Sequence, residues 1–168
     1  YLDSHITCDG RGCLWLSRRS TCIECHTSDG VYCCKDCTGG FPHCQKCILC
    51  SHRSLPLHSI EKWDGSCFIQ VSLHSLGLKY QLGHLSGEYC NHITPAHTNF
   101  HVIHSNSIHE VSIAYCRCIG APQHHKQLLE VGWWPATGQE PQTAATVNIL
   151  RCFHVLNLCS HISPTDFY

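Results

Sequence analysis

The chain contains no methionine, only 5 phenylalanines and 4 tryptophans in 168 residues, and 14% charged residues. So few large apolar side chains cannot fill one large core unaided. At this length we expect one or two small domains that draw stability from another source. No apolar run approaches the roughly 20 residues that a membrane-spanning helix needs, which excludes an integral membrane helix. Basic excess is missing too, with 11 Lys and Arg against 12 Asp and Glu. A generic phosphate-binding surface works by releasing counterions, so this balance counts against one. The acids are scattered, whereas a two-metal phosphoryl-transfer site needs several carboxylates converging on hard cations. No third group is in place to orient a Cys–His pair for nucleophilic attack. Catalysis within these residues is therefore not expected. Lacking methionine and opening on Tyr1 in polar sequence, the chain is expected to be a piece of a longer one, so a missing signal peptide carries no weight.

What the chain has instead is 16 cysteines and 16 histidines. From Cys22 they fall into a ladder: Cys22-x2-Cys25, eight residues, Cys34-x2-Cys37, six residues, Cys44-x2-Cys47, four residues, His52, five residues, His58. A Cys-x2-Cys turn aims two thiolates at one metal, and eight such ligands suit two tetrahedral Zn2+ ions. In a cross-brace, alternate pairs share a metal. Cys22, Cys25, Cys44 and Cys47 then hold one zinc, and Cys34, Cys37, His52 and His58 the other. The competing reading of so cysteine-rich a chain is a secreted disulfide scaffold. Disulfides have no need of two terminal histidines. Cys33 and Cys50 stand beside the ladder as bystander thiols or substitute ligands. Cys8 and Cys13, flanking a Gly-rich turn, read as plain thiols more readily than as a further metal pair.

Beyond the ladder, Pro56 sets an extended exit and Trp63 is expected to pack against the zinc region. Phe68 to Leu73 alternates as a strand, and Leu78 to His84 reads as another. Phe100 to His104 and Ile108 to Tyr115, joined by Ser105-Asn106-Ser107, have the pattern of a β-hairpin, with Val111, Ile113 and Tyr115 on one face. That hairpin delivers Cys116 and Cys118, which with Cys90 and one imidazole could chelate a third ion; His109 and His84 compete for the fourth place. Gln123 to Val131, stopped by Gly132, reads as a short helix, and Trp133-Trp134-Pro135 as extended. A longer helix is expected from Pro141 and Thr143, with Ala145, Ile149, Cys152, Phe153 and Leu156 as its apolar, buried face.

The expected fold is thus a small α+β zinc-stabilised protein. Its segments are a flank (1–20), a ZZ/B-box-like two-zinc module (21–66), a β-rich hairpin and zinc-knuckle region (67–120), and a helical part (121–168). Zinc changes its charge: four thiolates around Zn2+ leave −2, two thiolates with two imidazoles leave zero, and three thiolates leave −1. A zinc-filled chain is more acidic than its formal net charge of −1.

Tyr1-Leu2-Asp3, Asp9-Gly10-Arg11-Gly12, the Cys22 to His58 ladder, Pro56 to Trp63, Leu76-Gly77-Leu78 with Leu82-Gly83-His84, Ile108-His109, Cys116-Arg117-Cys118, and Gln127-Leu128-Leu129 through Thr137 occur here in one order. Together they resemble the CxC2-like cysteine-cluster domain associated with KDZ (Kyakuja, Dileera and Zisupton) transposases, over nearly the whole chain. The resemblance implies a non-catalytic zinc module ahead of a transposase catalytic domain, nuclear, contacting DNA or chromatin. Arg18, Arg19, Lys35, Lys46 and Arg53 are then the candidate phosphate contacts. A module binding a histone tail or other peptide through Asp29 and Asp36 is the alternative, which the balanced charge favours. A third reading is an inactive remnant of a mobile element, suggested by scattered extra cysteines such as Cys13, Cys67 and Cys159.

Overall fold

A computed structural model describes residues 21–84 and 88–167 of the chain. Cys8, Cys13, Arg18 and Arg19 lie outside the described residues. The chain divides into two compact units, the first ending at Leu78 and the second beginning at Lys79. Both are small mixtures of short strands and helices, an α+β protein.

In the first unit, β1 (Tyr32–Cys34), β2 (Ile60–Trp63) and β3 (Phe68–Val71) form an antiparallel sheet in that order. Cys34 lies opposite Ile60, and Ile60 opposite Val71. The β2–β3 turn is closed by Asp64, whose Oδ1 accepts from the N–H groups of Ser66 and Cys67 at 2.7 and 2.8 Å. Between β1 and β2 the chain forms α1 (Gln45–Ser51), a helix hidden in the sequence by its two cysteines. Ile48 of α1 packs with Tyr32, Cys34, Ile60, Leu73 and Leu78. Six buried residues are a slender core, below what usually holds a fold of this size without metal or cross-links. Trp63 meets Phe68 edge-on at 5.1 Å across the strand pair, whereas the buried aromatic of this core is Tyr32.

The second unit has two sheets. In one, β8 (Ser112–Cys116) runs parallel to β4 (Lys79–Gln81) and antiparallel to β5 (Ile93–Pro95). In the other the order is β7 (Ile108–Glu110), β6 (His101–Ile103), β10 (Thr143–Thr146) and β9 (Trp133–Pro135). The expected hairpin is present as β6–β7, but its second arm does not run on to Tyr115. At Val111 the chain makes a last bond, N–H to the Phe100 carbonyl at 2.9 Å, and crosses to the other sheet. There β8 is central, so Ile113, Ala114, Tyr115 and Cys116 are all buried rather than only every second residue. A strand covered on both faces loses the alternation of a one-sided strand.

Helix α2 (His124–Glu130) follows, and Gly132 turns the chain into β9. The helix expected from Thr143 starts later. Thr143–Thr146 is strand β10, inserted between β6 and β9, and Thr146 caps α3 (Val147–Ser160) by accepting from the Ile149 N–H at 3.4 Å. Two of the four residues of β10 are alanine, a helix former, so here pairing with β6 and β9 overrides local preference. Only Ile149 of α3 is buried; Cys152 and Leu156, expected inside, are exposed. A short helix α4 (Pro164–Phe167) returns Phe167 to Phe153, with ring centroids 5.2 Å apart.

Candidate metal centres

Among the described residues, three groups of four side chains bring their ligand atoms within 4.8 Å of one another: Cys22, Cys25, Cys44, Cys47; Cys34, Cys37, His52, His58; and His84, Cys90, Cys116, Cys118. Every described cysteine is a free thiol, so none of these groups is a disulfide cluster.

The first group joins two knuckles. The turn at Cys22 is closed by His26 N–H to Cys22 O at 2.9 Å, and tied to the second by Ile23 N–H to Pro42 O at 2.9 Å. Cys44 caps α1 and Cys47 lies in its first turn, so the helix start presents both thiols to one side. Sγ of Cys25 lies 3.9 Å from Sγ of Cys44.

The second group is built from the end of β1, the loop after it, and the far end of α1. Sγ of Cys34 and Sγ of Cys37 lie 3.3 and 3.4 Å from Nδ1 of His58, and Cys37 is 3.4 Å from Nε2 of His52. Nδ1 of His52 faces the Ile48 carbonyl at 2.9 Å, where it donates. That bond fixes the tautomer and leaves a bare Nε2 turned toward the thiols, as a metal-binding imidazole requires. Burial holds the His52 pKa below its ordinary value, which also favours the neutral ring. Asp36 accepts from the Ser59 N–H, 2.6 Å away, bracing the loop that carries His58. Because Cys47 lies in α1 and His52 is the residue at its C-terminal cap, α1 serves both groups, and the pairs interleave.

In the third group, Nε2 of His84 is 3.1 Å from Sγ of Cys116 and 3.6 Å from Sγ of Cys118. Cys90 lies 3.6 and 3.5 Å from the same two sulfurs. His84, not His109, completes this group. His109 sits in β7 opposite Val102, in the other sheet, with Nε2 2.8 Å from Oδ1 of Asn106. The crossing at Val111 puts it in a different sheet from β8, which carries the Cys-x-Cys turn. No feature of the sequence foretold that crossing.

Hydrogen bonds from the Thr27 hydroxyl and from the amides of Thr27 and Ser28 pull Cys25 down to about 5. Burial pushes Cys34 up to about 12, and hydrogen bonding to Cys116 and Cys90 pushes Cys118 to about 12. At Cys118 the cause is neighbouring thiols, which cannot all ionise beside one another. A divalent cation removes the conflict, since it binds all of them as thiolates. Donor sets of four thiols, two thiols with two imidazoles, and three thiols with one imidazole fit a tetrahedral soft or borderline metal. The other described thiols lie outside these groups. Cys33 is buried beside Glu61 and raised to about 11, chiefly by burial, while Cys50 and Cys67 are exposed.

A small α+β protein with three Cys/His groups among its described residues that could hold a metal ion is the class these features define. Residues 73–168, more than half of the chain, match the model of a family described as a CxC2 like cysteine cluster associated with KDZ transposases. The chain belongs to that family. The matched region contains the third group and the whole second unit; the ladder from Cys22 to His58 precedes it, so the match is shorter than the resemblance in the sequence. No curated protein and no solved structure matches the chain.

Proposed function

We propose that this chain is a non-catalytic zinc-binding region of a KDZ-type transposase, acting in the nucleus by contacting DNA or chromatin ahead of a catalytic domain. The observation that carries the zinc reading is the number of ligands per group. Each group has four protein donors, the complement of a closed structural zinc site with no open position for water or substrate. The interleaving through α1 supports reading the first unit as a ZZ/B-box-like cross-brace.

Charge favours a basic partner over bare DNA within that reading. Three filled sites add −2, 0 and −1 to a formal charge of −1, and Lys35, a candidate phosphate contact, is paired with Glu61 at 3.1 Å. A histone-tail-like peptide suits such a surface, though Asp36 is already bonded to Ser59. Elemental analysis and native mass before and after a chelator test the metal. Three tightly held zinc ions and unfolding on chelation are expected; metal-free protein with paired disulfides overturns the reading. Binding of a basic amino-terminal peptide against binding of duplex DNA, each followed over a salt series, decides the partner. A steep loss of DNA affinity with salt selects DNA.

A further inference from the structure

Strand β8 carries Cys116 at its end, and its two neighbours do not accompany it equally. β5 stays alongside, with Ile93 opposite Cys116 and Arg117 N–H bonded to His92 O at 2.8 Å. β4 does not: its last bond is Leu82 N–H to Ala114 O at 2.9 Å, and at Gly83 the chain turns away with φ +77°. Alternate residues of a strand point their polar backbone groups to the same side, so Cys116 turns its N–H and C=O to the place β4 has left. Left empty, that place would strand two buried backbone groups.

Gln127 of α2 fills it. Its side chain is wholly buried, its Oε1 accepts from the Cys116 N–H at 2.9 Å, and its Nε2 donates to the Cys116 and Pro122 carbonyls at 2.9 and 2.8 Å. One side-chain amide thus replaces a strand neighbour at a metal-ligand residue. Gly83 makes the room, because a Cβ there would lie 2.6 Å from Cβ of Cys116 and 3.0 Å from Oε1 of Gln127.

We propose that Gln127 is the positioning residue of the third centre and couples metal bound there to the seating of α2. The proposal rests on the third group being a metal centre. Gln127 touches no ligand atom of the metal; it holds the peptide from which Cys116 presents its sulfur. Coupling of this kind is reciprocal: whatever docked α2 adds to metal affinity, metal adds to the docking of α2.

The test uses the full chain loaded with Co2+, whose thiolate absorption bands report each tetrahedral site, together with amide hydrogen exchange over residues 124–130. Cys118→Ser assigns the third centre. Gln127→Leu is expected to weaken Co2+ there by about 10- to 100-fold, the usual effect of removing a group that orients a ligand. The two centres of the first unit serve as internal controls and keep wild-type affinity. Metal-dependent protection of α2, present in the wild type, disappears in the variant. Gln127→Met, which keeps the length of the side chain and makes none of the three bonds, is expected to weaken Co2+ at the third centre likewise and covers the case in which the leucine variant does not fold. Wild-type affinity at the third centre in Gln127→Leu, or equal protection of α2 with and without metal in the wild type, overturns the proposal. If the wild type holds two metals and Cys118→Ser still holds two, the third centre itself fails, and the proposal with it.

Discussion

His84 places Nε2 3.1 Å from Sγ of Cys116, a residue 32 positions away in sequence, and turns Nδ1 toward the Glu88 carboxylate at 3.6 Å. A carboxylate on one ring nitrogen favours the proton there and leaves the other nitrogen free to bind metal. Removing the imidazole should therefore cost a metal. We expect His84→Ala to lower metal content by one ion per chain and His109→Ala to leave it unchanged, as read by elemental analysis. The reverse result would restore His109 as the ligand.

Ile48 is wholly buried between Cys47, a member of the first group, and His52, a member of the second. Ile48→Ala is expected to destabilise the first unit by about 2–5 kcal/mol, the range for truncating a buried isoleucine. Affinity at both of that unit's centres should fall together, because α1 carries ligands of each. Calorimetric melts and competitive chelation read the two effects; loss at a single centre would mean that α1 does not link them.

Gly83→Ala should disable the third centre. The position combines φ +77° with a Cβ clash at Cys116, whereas Gly120 has φ +84° with open space around it. Strain alone destabilises such a position by more than about 1 kcal/mol, so Gly120→Ala serves as the control for backbone strain. Loss of metal at the third centre in Gly83→Ala but not in Gly120→Ala is expected. Equal behaviour would assign the effect to strain.

Asp64 provides a pH test away from every candidate ligand. Backbone N–H groups of Cys67 and Ser66 bond its carboxylate and hold its pKa at about 2, against an ordinary 3.8. The folded value is the lower one, so the charged form stabilises the β2–β3 turn. That contribution is complete above pH 3.8 and is lost as pH falls through about 2. In an NMR titration of the folded chain the Asp64 carboxyl resonance should scarcely move by pH 4, and Asp64→Ala should lower the melting temperature at pH 7. Half-titration near the ordinary value would contradict the hydrogen bonds seen here.

The ladder from Cys22 to His58 was open to reading because ligand spacing is local: a Cys-x2-Cys turn converges on one point wherever it is placed. The structure assembles all eight residues in the alternate pairing that the spacing suggested. Less local features were illegible. Helix α1 is hidden because cysteines interrupt its apolar pattern, and strand β10 reads as the start of α3 because Pro141 and Thr143 look like helix-starting residues. Cys152 repeats at helical spacing with Ile149, yet α3 leaves it exposed, since periodicity shows that a stripe exists and not that anything covers it.

The sequence by itself determined which residue types were available to bind metal, and that the apolar content was too small for one large core. It also carried the family, in motifs spread along the second unit. Only the tertiary structure decided that His84 rather than His109 faces Cys116, and that Gln127 occupies the place left by β4. Both outcomes follow from where strands part, at Val111 and at Gly83. A backbone group abandoned by one neighbour must find another partner, and which one it finds depends on packing across the whole unit.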